Sequence, residues 1–170
     1  MRWLLPALWL AACAGPDDTD RDWIDETDGP MVSGCVEGPD AYVEVGKGED
    51  DFLASDVDNR HSVLIHGLQG GFHTFVSLRG HHLDLEGPWY MVIEGLLDDE
   101  IRAVARLDRE PHCNEDVGAG EIIGTWLIWR AFPTELHEQD VTIRAVVVDG
   151  DRRVILGQTE QVIWDPELAE

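Results

Sequence analysis

Four of the chain's seven histidines fall within "LIHGLQGGFHTFVSLRGHHLD", residues 64 to 84: His66, His73, His81 and His82, with Asp84 and Glu86 close behind. Imidazoles and carboxylates together are the ligand types that hold zinc or copper. If the runs around Ile65 and Phe72 pair as strands, His66 and His73 are expected near each other across the turn. A third ligand would come from His81 or His82, but not from both, because neighbouring side chains on a strand point to opposite faces. The spacing matches no HExxH-type signature. The competing reading is a set of partly solvated histidines at strand ends, with no cofactor.

The glycines between these histidines have a simpler explanation. Gly67, Gly70 and Gly71 separate two strand-like runs, and glycine supplies the positive φ that a tight connection or a bulge requires. No Lys-Ser/Thr pair, helix start or positive charge follows, so this is not a phosphate loop. Nucleophilic catalysis has little to stand on either. No serine lies in a GxSxG context, and Asp98, Asp99 and Glu100 read as a solvated turn. A hydrolase of unknown type ranks behind binding and metal readings.

Elements that would position these residues are short, β-branched or aromatic, and punctuated by Gly, Asp and Asn. "AYVEV", "SVLIH", "FHTFVSL", "WYMVIEG", "IIGTWLIW" and "VTIRAVVVD" are examples. Such runs predict an all-β domain. Val141, Ile143, Ala145 and Val147 alternate with polar Thr142 and Arg144, then "DGD" at 149–151 turns the chain back through Arg153 to Trp164. That final hairpin resembles the last strand pair of an immunoglobulin-like β-sandwich, which is the expected architecture over residues 35–170. Leu96 to Leu107 is the one stretch that could instead be helical. Five tryptophans (Trp23, Trp89, Trp126, Trp129, Trp164) raise the thought of sugar stacking. Trp126 and Trp129, three apart on a strand, should face opposite sides, and a sandwich tryptophan more often fills the core than forms a platform.

The N-terminus sets location. Arg2, the apolar run Trp3 to Ala12 and small residues around Cys13 have the order of a secretory signal peptide. "LAAC" at 10–13 resembles the bacterial lipobox. The resemblance implies a signal peptide over 1–12 and a mature chain starting at an acylated Cys13, with two or more acyl chains for firm anchorage. Ala14 rather than Asp follows, which points to the outer membrane, facing the periplasm or cell surface. Residues 13–34 then form an acidic tether with too little apolar surface to order itself. Asp18, Asp20 and Asp22 carry calcium-loop spacing, but Trp23 and Gly29 replace the Gly and Glu such a loop needs. The tether reading prevails.

Asp plus Glu outnumber Lys plus Arg 35 to 12, a net charge of −23. So acidic a chain repels nucleic acid, which is excluded as a partner. With Cys13 acylated, Cys35 and Cys113 remain, and an even pair in an exported protein reads as a disulfide. Two free thiols, as ligands, are the alternative. Finally, "VGKGEDDF" and "HGLQGGFH" resemble a block of approximately VGxGxxxF and HGxQGGxH in uncharacterised lipoproteins of myxobacteria and related bacteria. The matching residues are Val45, Gly46, Gly48 and Phe52, then His66, Gly67, Gln69, Gly70, Gly71 and His73. The resemblance covers about a quarter of the chain and implies an envelope location, with no activity to carry over. The reading is a lipid-anchored envelope protein that binds the membrane through its anchor and an envelope protein or ligand through a non-catalytic domain.

Overall fold

Eleven strands and one short helix follow one another in the computed structural model, which describes residues 34–68 and 70–169. Cys13, the tether and Trp23 lie outside the described residues. The strands are β1 (Tyr42–Lys47), β2 (Leu53–Ala54), β3 (His61–Val63), β4 (Ile65–His66), β5 (Phe72–His81), β6 (Trp89–Leu97), β7 (Glu100–Arg109), β8 (His112–Asn114), β9 (Ala119–Trp129), β10 (Asp140–Val148) and β11 (Val154–Trp164), with α1 (Pro133–Leu136) between β9 and β10. The all-β expectation holds.

All the ladders belong to one sheet, in the order β2-β1-β5-β9-β7-β6-β10-β11-β3, with β4 on β5 and β8 on β9. One junction is thin. Strands β7 and β9 share a single pair, Ala103 with Trp129, next to a bond from Arg130 N–H to Arg102 O at 2.7 Å. The sheet curls about this corner, so its two halves close on a common core. Val43, Val45, Val76, Leu78, Ile122, Leu127 and Trp129 come from one half, and Met91, Ile93, Ile143, Ala145, Val147 and Ile155 from the other. On the far side β1 approaches β11 so closely that a Cβ on Gly157 would lie 2.6 Å from the Val43 carbonyl oxygen. Only glycine permits that backbone approach.

The last hairpin follows its pattern. Strand β10 buries Val141, Ile143, Ala145 and Val147 and pairs with β11 along its whole length. The 96–107 stretch is not a helix. Leu97 pairs with Glu100 across a two-residue turn in which Asp98 and Asp99 take φ of 51° and 63°. Two consecutive positive φ values are the mark of a type I′ hairpin, whose twist suits the flanking strands. Cross-strand pairing and the burial of Ala103 against Trp129 outweigh the modest helix propensity of Leu, Glu, Arg and Ala.

Cys35 and Cys113 form a disulfide, with Cα atoms 5.9 Å apart. It fastens the start of the described chain to β8. Among the described residues no helix is long and apolar enough to cross a membrane.

Candidate functional site

The register of the β4–β5 hairpin decides the fate of the histidines. His66 pairs with Phe72, and His73 pairs with Ile65. The two histidines are therefore one ladder position out of step and project from opposite faces. The connecting loop is closed by Gly67 N–H donating to Gly71 O at 2.8 Å and Gly70 N–H donating to Gly67 O at 2.9 Å. Gly70 takes φ +81°. The glycines thus serve the turn, as their spacing implies.

Each histidine has its own surroundings. His66 Nε2 lies 2.9 Å from Oδ2 of the fully buried Asp165, and its Nδ1 lies 3.3 Å from Glu167 Oε2. Both ring nitrogens are thus directed at carboxylates. His73, on the outer face, stacks on Trp126. His81 stacks on Tyr42 with centroids 4.4 Å apart, near Glu44. His82 approaches the Val36 carbonyl through Nδ1 at 3.2 Å. Eight residues of β5 separate His73 from His81, roughly 26 Å at about 3.3 Å per residue. Among the described residues no group of three or more His, Cys, Asp or Glu side chains could hold a metal ion. His66 and His73 border one hollow of about 610 Å³ at the hairpin, but the ladder does not bring their rings together.

What the structure does assemble is aromatic. Strand β9 contains a bulge: Leu78 pairs with Ile122 and Val76 with Thr125, leaving Ile123 and Gly124 between. Ile122 and Thr125 are both buried although three residues apart, so the bulge reverses the in–out alternation. Gly124 makes this possible with φ +67°. A Ser77 hydroxyl accepts the Gly124 N–H at 3.1 Å and donates to Gly48 O at 2.9 Å, filling the gap in the ladder. Beyond the bulge Leu127 and Trp129 point into the core, while Trp126 and Ile128 point out, 60% and 54% exposed.

Across the ladder Trp126 pairs with Phe75 and Ile128 with His73. The His73 ring lies almost parallel to the indole, and Phe75 meets both rings edge-on, 5.5 Å from His73 and 6.3 Å from Trp126. Ile65 and the fully exposed Leu68 extend this apolar surface. His73 is itself buried, and burial pushes its pKa below the ordinary imidazole value against the opposing pull of Glu49. Depression of the pKa favours the neutral ring. The indole is thereby braced on one side by a flat, uncharged partner.

Phe75 and Ile128 were not legible as site residues from spacing alone. The available signal was "TWLIW", apolar on both faces of a strand, where an outward-facing solvated strand should alternate with polar residues. No protein-family model matches the chain, and no curated protein matches it significantly.

Proposed function

We propose that this chain is a lipid-anchored protein of the bacterial cell envelope, held by an acylated Cys13. Its β-domain then works as a non-catalytic binding module on a sandwich-like scaffold, and its binding face is the outer surface of β5 and β9 around Trp126. The observation that carries the reading is the exposure of Trp126, braced by His73 and edged by Phe75. A large aromatic held out to solvent by its own strand bulge contributes little to folding. It fits a contact surface, where rigid aromatics dominate binding energy.

The test has two arms in the native host or an expressing bacterium. Metabolic labelling with a fatty acid and membrane fractionation should show acyl incorporation that Cys13→Ser abolishes. Photo-crosslinking from position 75 or 128 should capture an envelope component in the parent chain and lose it in Trp126→Ala. Absence of label overturns the anchor. An unchanged crosslinking pattern overturns the binding face.

A further inference from the structure

We propose that the binding face reads a carboxylate-bearing glycan, in the cleft between β7 and β9 that adjoins Trp126. The assignment rests on the binding-module reading and names the ligand class.

The cleft is a consequence of the thin corner of the sheet. Strands β7 and β9 part beyond their single pair at Ala103 and Trp129, and the opening, about 310 Å³, is lined by Arg106, Arg109, Thr125, Trp126 and Ile128 among others. At its other end Arg109 Nη1 reaches across to the Ile123 carbonyl at 3.0 Å. An arginine side chain thus occupies the acceptor that an added peptide strand would need. This disfavours strand addition along β9.

Charge is the second observation. Acids outnumber bases 35 to 12, and five arginines have a carboxylate partner: Arg60 with Asp140, Arg79 with Glu121, Arg102 with Glu100, Arg144 with Glu94 and Arg153 with Asp149. Among the described residues neither Arg106 nor Arg109 has one, and no Asp or Glu lines the cleft. Two guanidiniums without counter-ions at one opening, in so acidic a protein, form a site complementary to a carboxylate, which a guanidinium binds in bidentate fashion.

The third observation is apolar: Trp126 and Ile128, on the outward face of β9, border the same cleft. The flat indole of Trp126 completes the set, since the C–H face of a pyranose suits the negative face of a π system.

The probe is oligogalacturonate, tested by calorimetry on the full chain in mild detergent beside neutral oligogalactose and poly-glutamate. A panel of glycans built on other uronic acids extends the acidic arm. Binding of at least one acidic glycan is expected, about tenfold or more tighter than its neutral counterpart, and weakened about tenfold by Arg106→Gln, Arg109→Gln or Trp126→Ala. Near-ultraviolet circular dichroism of each variant confirms that the fold is kept. Raising salt from about 50 to 500 mM should weaken the acidic glycan only. Equal affinity for the neutral sugar overturns the role of the arginines. Binding of poly-glutamate alone, or of no uronate glycan, overturns the glycan assignment. If the crosslink at position 75 or 128 still depends on Trp126 in that case, the binding face stands and only the ligand class falls.

Discussion

The indole of Trp126 lies on the imidazole of His73, ring centroids 4.8 Å apart and planes 19° from parallel. His73 pays for its place by giving up charge: the buried ring titrates below its ordinary value of 6.5. The sign follows from linkage. An imidazole whose pKa is lowered by folding binds protons more readily when unfolded. Its contribution is complete above about 6.5 and is lost as pH falls from there towards the folded value. Denaturant midpoints measured between about pH 7.5 and 5.5 should therefore fall on acidification more steeply in the parent chain than in His73→Phe. Parallel pH profiles would show that His73 is not the titrating group.

Trp126 and Trp129 provide a matched comparison on one strand. Trp129 is 4% exposed, donates its Nε1–H to Thr74 Oγ1 at 3.2 Å and lies over Gly95 so closely that a Cβ there would be 2.6 Å from the ring. Trp129→Ala should cost about 3 to 5 kcal/mol, as expected for an emptied core site. Trp126→Ala should cost about 1 kcal/mol or less, since it forfeits one stack and little buried area. Urea unfolding of both variants measures the contrast, and similar losses would mean that Trp126 is structural.

These two tryptophans also mark how far the sequence could be read. Three residues on a strand reverse the facing, so opposite roles for Trp126 and Trp129 were legible. Which one faces out was not, because the parity depends on a bulge at Ile123–Gly124 that only the partner strand defines. The same limit governs His66 and His73. A turn between them was readable from its glycines, but a one-residue difference in register decides whether two rings meet, and side-chain spacing does not encode register. Val141 to Val147 alternated cleanly and became β10. Leu96 to Leu107 lacked that alternation, and its hairpin depended on two aspartates adopting positive φ.

The scattered histidines bear on metal content. His66 is engaged by Asp165 and Glu167, and His73, His81 and His82 each contact other groups. Protein purified without a histidine tag is expected to contain well under one equivalent of zinc or copper. Chelation should leave Tm unchanged. A stoichiometric metal lost together with stability in His66→Ala would reverse this conclusion.

The disulfide closes a loop with a sequence separation of 78. On the chain-entropy model such a cross-link stabilises the fold by about 4 kcal/mol. Reduction, or the double variant Cys35→Ser/Cys113→Ser, should lower Tm by roughly 10 to 20 °C for a domain of this size. Because Cys35 lies at the edge and the core is built elsewhere, far-ultraviolet circular dichroism below the transition should keep its β signature. Loss of that signature at room temperature would show that the bridge is required for folding itself.

Asp149 supports the domain from inside the β10–β11 turn. Its side chain is fully buried and accepts bonds from the Arg153 N–H and Nε–H, both at 2.8 Å, while Asp84 N–H donates to it at 3.2 Å. Arg153 in turn donates to Gly38 O at 2.8 Å and His82 O at 3.0 Å. One ion pair thus ties together the entry to β1, the exit from β5 and the last hairpin. Removing the carboxylate leaves two backbone donors and a guanidinium without their acceptor, so Asp149→Ala should cost about 3 kcal/mol or more. Asp149→Asn keeps an acceptor oxygen and should cost about half as much. Arg153→Lys retains the charge but cannot reach three acceptors at once, and should resemble Asp149→Asn. Urea midpoints of the three variants test the order. If Asp149→Ala were no less stable than Asp149→Asn, the turn would be held by its backbone and the ion pair would be incidental.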